Sequence, residues 1–211
     1  MNLSRPLLSS LLIVALGSCQ AHSHNPHGHH HAHDDLPLVL WQEGDPFQQG
    51  WAMAGPGTFV VEDGVLKATG GMGMMWFTSQ DFADFELELE WRVDDPAHNA
   101  GVFVRFPDPG VDPWVAVNQG YELQICDTAK EKHNTGSVYS FQGSTSIPTL
   151  DAGGWNRYRI RVVGQQYTIW VNDVLVNEFT GDRTLRGYIG LQNHDDHSPV
   201  RFRNLRVHEI E

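Results

Sequence analysis

The residues of this chain best suited to chemistry are a carboxylate, an imidazole and a guanidinium: Glu122, His194 and Arg105. A carboxylate or an imidazole can move a proton, and a guanidinium can stabilise the negative charge that proton removal creates. Each sits in or beside a strand-like run: His98-Asn99-Ala100-Gly101-Val102-Phe103-Val104-Arg105, Gly120-Tyr121-Glu122-Leu123-Gln124-Ile125-Cys126-Asp127, and Gly187-Tyr188-Ile189-Gly190-Leu191-Gln192-Asn193-His194. Successive side chains on a strand face opposite ways, so Leu123 and Ile125 share one face while Glu122 and Gln124 share the other. With Val102 and Val104 turned to the core, the same counting projects Arg105 to the side of Glu122, and one site holding Arg105, Glu122, Gln124 and His194 is expected. The bland readings are a buried Arg105–Glu122 ion pair and a solvated loop histidine.

Such a site needs strands to carry it, and the sequence is written in strands from Leu36 onward. Runs rich in Val, Ile, Phe, Tyr and Trp alternate with turn signals such as Asp63-Gly64, Gly70-Gly71, Asn172-Asp173 and Gly181-Asp182. In Phe85–Val93 the apolar positions alternate strictly with Glu86, Glu88, Glu90 and Arg92. No window of eleven or more residues shows an apolar stripe of helical period. The expected fold is all-β, a two-sheet antiparallel jelly-roll sandwich of about a dozen strands.

The chain has 211 residues and a formal net charge of −12. Residues 1–18 read as a signal peptide: Arg5, an apolar stretch from Leu7 to Leu16, then small residues before Cys19. Leu16-Gly17-Ser18-Cys19 resembles a bacterial lipobox, which implies acylation of Cys19 and an exported, surface-anchored lipoprotein; Gln20 after the cysteine suggests the outer membrane and periplasm of a Gram-negative host. Removal of residues 1–18 deletes one base and no acid, taking the charge from −12 to −13. That acidity excludes nucleic acid as a partner, since phosphate binding needs clustered Lys and Arg. Residues 19–36 follow as a tether containing seven of the twelve histidines, His22, His24, His27, His29, His30, His31 and His33, which are weak candidates for loose metal binding. Residues 37–211 form the folded domain. Cys126 is then without a disulfide partner and reads as a small buried hydrophobe.

Taken together, the blocks Asn99–Arg105, Gly120–Asp127, Thr135–Tyr139, Trp155–Ile160, Gly187–His194 and Val200–Leu205 resemble, in order and spacing, the 3-keto-disaccharide hydrolase family. The resemblance implies a concanavalin A-like jelly roll and action on carbohydrate. The chain departs from the family pattern at Ala100, where serine is usual, and in lacking a Phe-Asp-Gly start. Ordinary glycosidases flank the scissile bond with two carboxylates. Here the residue that shares Glu122's face is Gln124, an amide. The family chemistry explains how one base can suffice: a ketone at C3 acidifies the C2 proton, and abstraction leads to expulsion of the C1 substituent before water adds. His194 or Glu122 would be the base, and Arg105 or a divalent metal would hold the enolate. Candidate substrate contacts are Gln124, Asp127, Tyr139, Gln192, Glu90 and Trp114, with Trp76 and Phe141 as further aromatic rings at a groove rim. His98 and His133 are weaker candidates, and Arg203 and Asn204 read as structural. The second reading is a noncatalytic carbohydrate-binding lipoprotein using the same groove.

Overall fold

In the computed structural model residues 36–44 and 50–211 are described, so the expectations for the signal peptide, Cys19 and the histidine tether lie outside the described residues. The strands are β1 (Leu38–Trp41), β2 (Trp51–Ala54), β3 (Thr58–Glu62), β4 (Val65–Thr69), β5 (Gly73–Phe77), β6 (Phe85–Arg92), β7 (Ala100–Phe106), β8 (Tyr121–Ile125), β9 (Asn156–Val163), β10 (Gln166–Val171), β11 (Val174–Thr180), β12 (Tyr188–Asn193) and β13 (Arg201–Glu209). Among the described residues one short α-helix, α1 (Trp114–Gln119), and a single 3-10 turn at Glu131–His133 interrupt them. They form two antiparallel sheets. The larger runs β11-β10-β9-β6-β13-β4-β3 with β1 added on β13, and the smaller runs β2-β5-β12-β7-β8.

Alternation explains the larger sheet. In β6 every apolar residue from Phe85 to Trp91 is buried and every charged one between them is partly exposed. Tyr158, Ile160 and Val162 of β9 do the same, and these side chains meet Val102, Val104, Leu123, Ile125, Ile189 and Leu191 of the smaller sheet in one core. Each large apolar side chain fully buried there contributes about 1.5–3 kcal/mol. The turns follow their residue types: Asp63 and Gly64 both adopt positive φ, as do Asn172 and Asp173, closing the β3–β4 and β10–β11 hairpins.

The smaller sheet is different, because β5, β7 and β8 are buried on both faces. Its outer face is covered by α1, whose Ala116 packs with Trp76, Met74, Phe103 and Phe106 in a second apolar cluster. The Asp112 carboxylate accepts the Trp114 amide at 3.0 Å, and the Gly120 amide closes the last turn on Ala116. At Gly120 a side chain is impossible, since a Cβ would lie 2.7 Å from both Phe106 Cβ and the Val104 carbonyl. The Arg183 guanidinium, lying against the Tyr121 and Phe141 rings, donates to the Val117 and Gly120 carbonyls and so pins the helix to the sheet. α1 is too short, at six residues, for a helical period to show in sequence.

Candidate functional site

Beside the first turn of α1, the outer face of the smaller sheet opens into a pocket of about 130 Å³. Strand order places its polar wall: β12, β7 and β8 are neighbours, so the three runs singled out in sequence do share one face. Gln192 comes from β12, Glu122 and Gln124 from β8, and Gly101 of β7 lies opposite Gln124 in register. Phe103, paired with Glu122 across the sheet, forms part of the apolar floor. Pro113, Trp114 and Val117 of the α1 segment form the roof. Tyr139 is brought in because residues 135–139 run along the outer edge of β8: the Gln124 amide donates to Ser137 O, the Gly136 amide to Gln124 O, and the Tyr139 amide to Glu122 O. His194 lines the pocket just beyond β12 and is exposed.

Glu122 is the only carboxylate among the described residues lining this pocket. It is 5% exposed. Burial pushes its carboxyl up to about 8, the Gln192 amide pulling weakly the other way, and no cation offsets the burial. Gly101 makes the room: a Cβ there would lie 2.4 Å from Glu122 Oε1. Gln124 is held from behind, its amide donating to Asn99 Oδ1 at 2.7 Å, while the Asn99 backbone amide is anchored on Ser198 Oγ. His194 Nδ1 lies 2.7 Å from Asp195 Oδ2. Burial works to raise the Asp195 carboxyl, but His194 and the His197 amide outweigh it and hold it below the usual range. A carboxyl group that ionises near neutral pH in a mostly apolar pocket, with a hydroxyl and an imidazole at hand, is suited to proton transfer on a bound ring.

The expected site is thus assembled from Glu122, Gln124, Tyr139, Gln192, Trp114 and His194, and three expected members lie elsewhere. Arg105 does not meet Glu122. It is the extra residue of a bulge, with φ +52, opposite the step in β12 where Tyr188 pairs with Phe106 but Ile189 with Val104. The bulge breaks the alternation of β7 and sends the guanidinium, fully buried, away from the pocket: Nε donates to Ala83 O at 3.0 Å, Nη1 to Gly164 O, and Nη2 pairs with Asp84 at 2.9 Å. Glu90 lies on the outer face of the other sheet, bound by Arg203 and Asn204. Asp127 accepts the Thr135 and Thr149 hydroxyls, which fastens the 135–139 segment against β8. Of the other rings, Trp76 is buried beneath α1 and Phe141 packs on Tyr121 and Phe179. His133 reaches the site only by packing on the Tyr139 ring. Asn99 was missed as a site residue although it opens the β7 motif, because its part is to orient Gln124. No three His, Cys, Asp or Glu side chains converge as metal ligands among the described residues.

A more open hollow of about 610 Å³ lies on the outer face of the larger sheet, lined by Glu86, Glu88, Arg161 and Arg206 among others. Its acids stand opposite bases in the strand register, the arrangement of a solvated face.

Comparison with known proteins agrees on architecture. The chain is similar to a candidate glycosyl hydrolase of Parabacteroides distasonis (TM-score 0.64, 17% identity, 77% of this chain and 89% of that one). It is also similar to the carbohydrate binding module CBM66 of Bacillus subtilis (TM-score 0.59, 18% identity, 78% and 100%) and to the exoplasmic/lumenal domain of VIP36 in its calcium- and mannose-bound form (TM-score 0.53, 13% identity, 84% and 91%). These likenesses show a lectin-like two-sheet sandwich. No curated protein sequence matches the chain. The profile of the 3-keto-alpha-glucoside-1,2-lyase-like domain matches residues 39–208, nearly the whole sandwich and every strand that builds the pocket, and the chain belongs to that family.

Proposed function

We propose that this protein cleaves glycosides whose sugar carries a ketone at C3, with Glu122 as the base. The observation that carries the reading is the single buried carboxyl group of the pocket, raised by burial to about 8 with no second carboxylate beside it. A retaining or inverting glycosidase would need a pair. A 3-keto ring needs one base: Glu122 takes the C2 proton, the C2–H electrons delocalise onto the C3 carbonyl oxygen, and on their return the C1–O bond breaks to leave a C1=C2 double bond. The departing oxygen takes a proton, for which the Tyr139 hydroxyl and the His194 imidazole line the same pocket. Addition of water across C1=C2 then completes a net hydrolysis. Trp114, about half exposed at the roof, offers a ring face to the apolar side of the sugar.

The purified protein incubated with 3-keto-trehalose or 3-keto-glucosides is expected to release free sugar. Absence of release, with and without added divalent metal, would overturn the reading. A second reading, carbohydrate binding without turnover, is favoured by the fold shared with CBM66 over that module's full length. Calorimetric titration with unoxidised glycans separates the two, since tight binding of these without turnover of keto-sugars supports a binding module. Export belongs to the same proposal. No helix of the described residues is long and apolar enough to cross a membrane, and the anchor proposed here is an acyl chain at Cys19. Cys19→Ser is then expected to move the protein into the soluble fraction; unchanged membrane association would refute the anchor.

A further inference from the structure

The pocket holds two amide oxygens that nothing among the described residues satisfies. Gln124 is 2% exposed, its amide nitrogen is committed to Asn99 Oδ1 at 2.7 Å, and its Oε1 is buried without a hydrogen-bond partner. Gln192 donates its amide nitrogen to the Glu122 carboxyl, and its Oε1 is likewise buried and unpartnered. Turning either glutamine over by itself relieves neither, and turning Gln124 together with Asn99 would still leave one polar atom of Gln124 unpaired, its nitrogen in place of its oxygen. A reversed Gln124 would set oxygen against Asn99 Oδ1, and a reversed Gln192 would set oxygen against the ionised carboxylate that a base requires. Buried polar atoms are almost always paired, and an acceptor kept free beside a cavity calls for a donor from outside.

Placement says how many donors one ligand must bring. Gln124 and Gln192 stand on strands either side of β7, and between them is Gly101, whose missing side chain leaves the space above the sheet open. Two strand spacings separate their backbones by about 10 Å, so the two side chains can converge on opposite edges of one ring but not on one hydroxyl. The cavity, about 130 Å³, is well below the usual range of ligand pockets. It suits one ring with the rest of the molecule outside.

We propose that Gln124 and Gln192 are a hydroxyl-reading pair that selects a terminal sugar ring still carrying free hydroxyls on both edges, and that rings deoxygenated or O-substituted there are rejected. This rests on the keto-glycoside reading for the identity of the ring but not for the recognition itself. A site whose buried acceptors need hydroxyl donors discriminates strongly against analogues lacking them, because the acceptors are then left unpaired in the complex.

The test uses 1,5-anhydro-3-ketoglucitol, which has no C1 leaving group and so can bind without being cleaved, and its 2-, 4- and 6-deoxy forms, each titrated calorimetrically into the intact protein. At least two of the deoxy forms are expected to bind tenfold or more weakly than the parent. Gln124→Met and Gln192→Met are each expected to weaken the parent to a similar degree, and each to erase the penalty for one particular deoxy form, as coupling in a double-mutant cycle requires. All deoxy forms binding wild type within twofold of the parent would overturn the proposal, whether or not the variants fold. Titration of unoxidised 1,5-anhydroglucitol and its deoxy forms keeps the two readings apart. If these bind with the same hydroxyl dependence while keto-glycosides are not cleaved, the hydroxyl-reading pair stands and the lyase reading fails. If keto-glycosides are cleaved with no dependence on ring hydroxyls, the pair alone fails.

Discussion

On the outer face of the larger sheet Glu86, Glu88 and Glu90 stand in register with Arg161, Arg159 and Arg157 of β9, and Arg203 and Arg206 flank the same acids from β13. Arg159 stacks on Trp170 at 3.8 Å, and Arg92 and Arg203 both approach Trp155. On the outer face of the smaller sheet Glu122, 5% exposed, has amides and aromatic rings for neighbours and no arginine or lysine among the described residues lining its pocket. Both faces began as the polar side of alternating strands. The difference is cover: the acids of the larger sheet stand in water beside arginines, whereas Glu122 is covered without one and burial pushes its carboxyl up to about 8. Abundance of charge therefore marks the solvated face, and isolation of charge marks the face that holds the candidate base.

The largest effect expected from this contrast is at Glu122. Glu122→Gln should lower turnover of a 3-keto-glycoside by about 10³-fold, within the usual range for loss of a general base. The same change should stabilise the fold in alkaline buffer. The folded-state carboxyl ionises at about 8 and the unfolded one near 4.5, so between those values the native state holds a proton the unfolded state has lost. Wild-type stability from this group is full below pH 4.5 and declines as pH rises towards 8, by up to about 1.4 kcal/mol per pH unit. Urea titrations of both proteins at pH 5 and pH 8 should show the variant gaining on wild type; a constant difference would break the contrast. Next in size is Arg105→Ala, which strips Asp84, Ala83 O and Gly164 O of their buried donor. It should cost about 3 kcal/mol or more in urea denaturation, while KM for a keto-glycoside measured on the remaining folded protein stays within twofold, since the guanidinium lies away from the pocket. The smallest is Glu90→Gln on the charged face, with about 0.2–1 kcal/mol of stability and unchanged turnover expected. A loss of turnover there beyond threefold would mean that the charged face takes part in the chemistry.

Much of this was legible in the residues, and the failures share a cause. Alternation in Phe85–Trp91 and Tyr121–Ile125 marks which side of each strand is core, so Glu122 and Gln124 could be placed on a site face and Gln192 with them. Alternation does not say which sheet a strand joins, and for that reason Glu90, with the same pattern, was placed in the wrong face. Parity counting fails at a bulge. Val102 and Val104 point inward as expected, but the inserted Arg105 resets the count, leaving Phe103 and Phe106, three residues apart, in the same outer cluster. Nothing in the residue type announces this, since arginine has no preference for positive φ. Asp127 followed the motif strand closely enough to seem part of its polar face, yet the chain turns after Ile125, and the carboxylate fastens a loop to which Tyr139 belongs.

Gly101 carries a consequence for how chains of this kind can diverge. The hydrogen of that glycine occupies ground that any larger side chain would share with the Glu122 carboxyl, Cγ included, 2.7 Å from where a Cβ would stand. The two positions are therefore one heritable unit: a chain that gains even alanine at 101 must retract or lose the acid, and a chain that has lost the acid is free to fill the gap. Across relatives of this sandwich the residues at 101 and 122 are expected to change together, and a larger residue at 101 is expected to go with an acid that is withdrawn or replaced.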